Sequence, residues 1–237
     1  MNNIRIMSFN TQHCRNFISK KIDFEAVAKA ITDFDADIVG LNEIRGQGEH
    51  PEYTPQTEML SELTEMKYYY FAKAIDLPDG LYGNAILSKR PIIKAETVMI
   101  PDPNPRKYKR YYETRCVLKA ELEGGLTVLV THFGLNPDEQ ENAVKTVLEN
   151  ISKEKCVLMG DFNVIPDSEL LDPIRKTMKD SADMFDRPLS SFPSDNPDRK
   201  IDYIFVSKDT EIVSADIPEV VVSDHRPYTA ILKIKSV

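Results

Sequence analysis

The apolar, β-like runs of this chain share one feature that constrains it more than any other: the longest of them end on side chains able to hold a proton, a phosphate or a metal ion. Ile4 to Phe9 runs into Asn10, Ile38 to Leu41 into Asn42 and Glu43, Val128 to Val130 into Thr131 and His132, and Val157 to Gly160 into Asp161, Phe162 and Asn163. Two more segments, Lys200-Ile201-Asp202-Tyr203-Ile204-Phe205 and Val222-Ser223-Asp224-His225, carry residues of the same kind. A sheet scaffold presents its strand ends along shared edges, so such a chain is expected to gather these tips in one cleft.

Strands are expected at Ile4 to Phe9, Ile38 to Asn42, Ala85 to Ser88, Cys116 to Glu121, Thr127 to His132, Cys156 to Met159, Ile201 to Val206 and Tyr228 to Ile234, from their alternating or β-branched composition. Tyr68 to Phe71 reads as further strand packing. Four helices are expected. Phe24, Val27, Ile31 and Phe34 recur at helical spacing behind the N-cap Asp23. Thr54-Pro55 opens a second helix burying Met59, Leu60 and Leu63. In the third, Asn136 caps, Pro137 opens and Glu139 completes a capping box, with Val144, Val147, Leu148 and Ile151 facing inward. The fourth, Ser168 to Met178, is interrupted by Pro173. Hairpin-like strand pairs with so few helices suit two packed sheets flanked by helices, an α/β (α+β) architecture. No linker, repeat or low-complexity tract divides residues 1–237, so one domain is expected.

The hydrophobic content of 41% is that of a chain that buries a core. Its longest apolar runs fall far short of the ~18 to 20 residues that cross a bilayer. Met1 to Ser8 lacks the basic-then-apolar layout of a secretory signal, so a cytoplasmic monomer is the expectation. Cys14, Cys116 and Cys156 lack CxxC spacing and read as reduced, structural thiols. A net charge of −8 argues against a broad nucleic-acid footprint. One local exception stands out: Arg106, Lys107, Lys109 and Arg110 alternate with Tyr108, Tyr111 and Tyr112, which reads equally as a solvated loop or as a substrate contact.

The oxygen donors Asn10, Glu43, Asp161, Asn163 and Asp224 suit Mg²⁺ or Mn²⁺ better than zinc, which recruits Cys and His. His132 and His225, beside acidic residues at run ends, suit proton transfer near neutrality. Asp202 lies inside an apolar strand, where a charge needs a partner. His13, in a polar turn, and His50, in a Gly/Pro-rich loop, read as surface residues, and Arg45 as a loop arginine.

Taken in order, Asn10, LNE ending at Glu43, THF with His132, GDFN from Gly160 to Asn163, KIDYIF with Asp202 and SDH ending at His225 resemble the endonuclease/exonuclease/phosphatase superfamily of DNase I-like, metal-dependent phosphoesterases. The resemblance covers nearly the whole chain. It implies a four-layered sandwich and hydrolysis of a phosphodiester or phosphomonoester by water, with Mg²⁺ or Mn²⁺ as cofactor. By position, Asn10 and Glu43 would hold the metal with Asp224 near it. Asp161 would orient or activate water, and Asn163 would bind the scissile phosphate. His225, its ring held by Asp202, would contact phosphate or act as base, and His132 would face the phosphate from the other side. Asn84 and Arg115 match less cleanly as substrate contacts. The nuclease branch pairs the histidine matching His132 with a glutamate that this sequence lacks, which implies a different orientation for His132. Nucleic acid, phospholipid and inositol phosphate all remain open as substrates. The competing reading is a catalytically silent module that binds phosphate or nucleic acid on the same scaffold.

Overall fold

The computed structural model describes residues 3–234; Met1 and Asn2, where a secretory signal was sought, lie outside them. In chain order the elements are β1 (Asn3–Asn10), α1 (Phe24–Phe34), β2 (Ile38–Arg45), α2 (Gln56–Thr64), β3 (Tyr68–Leu77), β4 (Gly80–Ser88), β5 (Ile92–Met99), β6 (Cys116–Leu122), β7 (Leu126–His132), α3 (Pro137–Asn150), β8 (Cys156–Asp161), α4 (Asp172–Thr177), β9 (Met178–Asp180), β10 (Asp202–Ser207), β11 (Glu211–Asp216) and β12 (Tyr228–Lys233). They form two six-stranded sheets, ordered β11-β12-β1-β2-β4-β3 and β5-β6-β7-β8-β10-β9. Each is antiparallel except for one central parallel pair, β1 with β2 and β7 with β8, joined through α1 and α3 respectively.

Side-chain alternation explains the layers. Ile4, Ile6, Ile38, Val128, Val130, Val157 and Met159 point between the sheets, whereas Met7, Phe9, Val39 and Leu41 face α1 and α2, and Leu129 and Leu158 face α3. Both faces of the central strands are therefore buried, which is why they read as continuous apolar runs. The sheets approach closely enough that a Cβ on Gly40 would meet Met159 Sδ at 2.8 Å.

The caps Asp23 and Asn136 lie where the sequence puts them: the Asp23 side chain accepts from Ala26 N, and the capping box with Glu139 forms. Two helix expectations change. Leu63 is 44% exposed, because α2 instead buries Gln56, Thr57, Leu60, Ser61 and Thr64. Pro173 starts a helix rather than interrupting one: a 3-10 turn behind Ser168 hands over to α4, with Pro173 in its first turn. Among the described residues no helix is long and apolar enough to cross a membrane.

One buried charge stands apart from the strand tips. Lys200 Nζ lies 3.3 Å from the centroid of the Tyr203 ring and has no hydrogen-bond partner among the described residues. Burial pulls its pKa down to about 8, against the attraction of Asp180 and Asp202. The ordinary value near 10.5 applies when the chain unfolds, so between pH 8 and 10.5 the unfolded state binds more protons and stability rises with pH. Lys200→Met should therefore stabilise the protein by about 1–2 kcal/mol at pH 7, since relief of the desolvation outweighs the cation–π attraction that goes with the ammonium. Denaturant unfolding checks this: the variant's advantage should shrink towards pH 10.

Candidate active site

Strand register aligns the polar tips before any side chain is considered. Asn10 pairs with Asn42 across β1 and β2, His132 with Asp161 across β7 and β8, and Asp161 with Asp202 across β8 and β10. Asn42 then locks the two sheets at this edge. Fully buried, it accepts from Asp161 N at 2.9 Å and donates to Asn84 Oδ1 at 2.8 Å and to Thr131 O at 2.9 Å. Gly160, at φ 143°, lets β8 come this close, since a Cβ there would sit 1.8 Å from Thr131 O.

Asp161 Oδ2 is the focus of the cleft. Asn10 Nδ2 lies 3.1 Å from it, His132 Nε2 3.4 Å and His225 Nε2 3.6 Å, while Oδ1 accepts from Asn163 N at 2.8 Å. Burial raises the Asp161 pKa to about 7, against the pull of His225. For His225, burial alone would lower the pKa, but Asp202, 2.8 Å from Nδ1, and Asp161 outweigh it and raise it to about 10. His225 is thus a cation whose orientation Asp202 fixes. Asp161, Asp202 and His225 form the group of acidic and imidazole donors close enough to hold an ion, with ligand atoms within 4.8 Å of one another.

His132 differs in kind. Arg115 Nη1 lies 2.8 Å from its Nδ1 and 2.8 Å from Glu113 Oε1. A guanidinium can only donate, so Nδ1 accepts and the ring proton sits on Nε2, facing Asp161. Burial first, then Arg115, holds the His132 pKa well below its ordinary value. His132 is therefore a neutral donor rather than an acid charged by a carboxylate, and the missing glutamate is replaced by an arginine anchored on Glu113. Arg115, expected to touch substrate, is instead aimed at His132. Replacing it by Leu should lower kcat roughly 10- to 100-fold with KM nearly unchanged, because the residue orients His132 and does not bind substrate. A rise in KM at constant kcat would return Arg115 to the substrate.

Glu43 sits on a bulge. The register of β2 on β4 shifts between Leu41 and Ile44, and Glu43 adopts φ 59°, an uncommon backbone for a residue with a side chain. The kink turns its carboxylate to Asn10 Nδ2, 3.2 Å from Oε1. His13 Nε2 lies 3.7 Å from Glu43 Oε2, and Gln12 Nε2 donates to Asp224 Oδ2 at 3.1 Å. Burial, then Glu43, raises the pKa of Asp224, while burial lowers that of His13, which adds little positive charge. Glu43, Asp161 and Asp224 thus meet with amides between them, a hard oxygen set that lacks a countercharge and fits a divalent cation.

The structure gathers Asn10, Glu43, His132, Asp161, Asn163, Asp202, Asp224 and His225 at one edge. Asn163, at φ 50°, donates from Nδ2 to Phe133 O, 3.1 Å away. Asn84 does not reach the cleft as expected: it is 2% exposed and both ends of its amide are spent, on Asn42 and on Cys116 O. Reading the sequence missed Gln12, His13, Asn42 and Glu113. For Gln12 and His13 the available signal is their place directly after Asn10. Arg45, by contrast, pairs with Glu52 and stacks on Tyr53.

Two helix-flanked mixed sheets with a polar cleft across one edge define the DNase I-like fold. The model of the Endonuclease/Exonuclease/phosphatase family matches residues 7–225, and the chain belongs to that family, whose members hydrolyse phosphoester bonds. Among curated proteins it is 23% identical to the uncharacterized protein YbhP of Escherichia coli, over 95% of this chain and 94% of that one. Among solved structures, an endonuclease/exonuclease/phosphatase from Beutenbergia cavernae superposes with a TM-score of 0.79 at 20% identity, covering 99% of this chain and 72% of that one. A mannosyl-6-phosphatase from Bacteroides thetaiotaomicron superposes with a TM-score of 0.75 at 16% identity, covering 98% and 100%.

Proposed function

We propose that this protein is a divalent-metal-dependent phosphoesterase that splits a phosphodiester or phosphomonoester by attack of water. The observation that carries the reading is the convergence of Asn10, His132 and His225 nitrogens on one buried carboxylate oxygen, Asp161 Oδ2. Mg²⁺ or Mn²⁺ held by Glu43 and Asn10, with Asp224 beside them, would supply Lewis-acid neutralisation of the phosphate. Asp161, with its raised pKa, orients the water and accepts its proton as the new P–O bond forms. His225 carries its proton already, so it serves as a cation facing the phosphate and not as the base. His132 Nε2–H and the Asn163 amide donate to the phosphate oxygens, where charge grows in the transition state. The mannosyl-6-phosphatase among the structural neighbours keeps phosphomonoesters within this reading.

A screen in Mg²⁺ and in Mn²⁺ with EDTA controls tests it, comparing a bis-aryl phosphodiester, an aryl phosphomonoester, DNA, RNA and phosphoinositides. Turnover of at least one, abolished by EDTA and by Asp161→Asn, is the expected result. Phosphate binding without turnover in either metal would identify a silent module instead.

A further inference from the structure

The tyrosine-rich basic loop is neither loose nor idle. Tyr112 OH donates to Asp138, 2.9 Å from Oδ2, and accepts the backbone N–H groups of Lys107 at 3.1 Å and Tyr108 at 2.9 Å. Asn136 Nδ2 donates to Tyr111 O at 3.1 Å, and the Arg106 guanidinium stacks on the Tyr112 ring at 4.9 Å. The loop is thereby tied to the first turn of α3. It overhangs a cavity of about 600 Å³ that opens directly on Asn163.

The lining of that cavity is anomalous for this protein. It includes Lys109, Arg110 and Arg199 and not one carboxylate, in a chain whose net charge is −8. Among the described residues Lys109 and Arg110 make no salt bridge, whereas Arg199 is held by Asp198 at 3.1 Å and by the Phe192 ring. Apolar surface lies beside the charges: Tyr108 is 47% exposed, Leu135 41% and Ile165 51%. Gln140 Nε2 bonds both Gly134 O and Asn163 O at 3.1 Å, so the cavity floor and the phosphate-facing turn are one structure.

We infer that this cavity is a subsite for a second, non-scissile phosphate carried on a compact unit with a flat apolar face. Lys109, Arg110 and Arg199 meet the phosphate, and Tyr108, Leu135 and Ile165 meet the unit that bears it. The volume suits one such unit, within the roughly 300–1,000 Å³ typical of small-ligand sites, and is too short for acyl chains. Fixed cations that face no internal partner lose little on binding an anion, and the pinned loop has already met its ordering cost. This inference rests on the phosphoesterase reading and adds the shape of its substrate.

Thymidine 5′-(p-nitrophenyl phosphate), with and without a 3′-phosphate, isolates the second anion. The 3′-phosphate should raise kcat/KM of the wild type about 10- to 100-fold, and Lys109→Ala/Arg110→Ala should reduce that advantage to within about threefold. Bis(p-nitrophenyl) phosphate, which has no second anion, should be cut equally by both proteins. Equal loss on all three substrates, or no loss on any, overturns the subsite while leaving the hydrolase reading standing. A readout independent of turnover is calorimetric binding of thymidine 3′,5′-bisphosphate. Binding should weaken at least tenfold in the double variant, and its absence in the wild type overturns the inference even if no ester is cleaved. Tighter binding of inositol 1,4-bisphosphate would keep the phosphate contact and refute the flat unit.

Discussion

Asp161→Asn should lower kcat on any ester the wild type hydrolyses by at least about a thousandfold, with a thermal midpoint in EDTA no lower than that of the wild type. The substitution is nearly isosteric. The amide oxygen that takes the place of Asp161 Oδ1 can still accept the Asn163 N–H, so the turn after β8 keeps its anchor. What disappears is the negative charge at Oδ2, the point on which Asn10, His132 and His225 converge. If Asp161 takes the proton from water, an amide of the same shape cannot replace it. Stability should not suffer, because burial disfavours the carboxylate charge and its removal relieves that cost. An inactive, well-folded and no less stable variant is the signature of a strained functional group. A fall of less than tenfold would move the proton acceptor elsewhere. A cooperative loss of stability would mark Asp161 as structural.

The same burial logic separates what the sequence shows from what it hides. Strands β1, β2, β7, β8 and β10 are legible because both faces are covered and their runs are apolar throughout. Edge strands β5 and β11 are not, since half-exposed segments such as Ile92–Met99 and Glu211–Asp216 mix polar and apolar residues without a clear period. The tips Asn10, Glu43, His132, Asp161, Asp202 and His225 are visible because each is a costly residue at the end or start of such a run. His13 is hidden because its placement depends on a reversal in which Gln12, His13 and Cys14 all take positive φ. Nothing in the residue types announces that geometry. The substitution of an arginine for an acid beside His132 is hidden for a different reason: Arg115 and His132 belong to neighbouring chain segments at the edge of β6 and β7, and only the register of those strands sets them side by side.

Glu43→Gln tests the ion directly, through stability as well as activity. A ligand that binds only the folded state stabilises it by RT ln(1 + [L]/Kd), about 2.7 kcal/mol at one hundred times Kd. For a chain of 237 residues that corresponds to a rise in thermal midpoint of roughly 5–10 °C. The wild type should show this rise with Mg²⁺ or Mn²⁺ and lose it in EDTA. Glu43→Gln keeps the length of the side chain and its unusual backbone on the β2 bulge, so the strain there is unchanged. It removes one of the carboxylates that the cation would neutralise. The rise should then disappear or require at least about tenfold more metal, and kcat/KM should fall by about two to three orders of magnitude, with partial recovery at high Mn²⁺. Without metal the variant should be as stable as the wild type or more so, since Glu43 raises the pKa of the buried Asp224. An undiminished metal-induced rise in Glu43→Gln would place the ion at Asp161, Asp202 and His225 instead, the group whose ligand atoms lie within 4.8 Å of one another. Asp202→Asn would then abolish the rise, an outcome the Glu43 site does not predict.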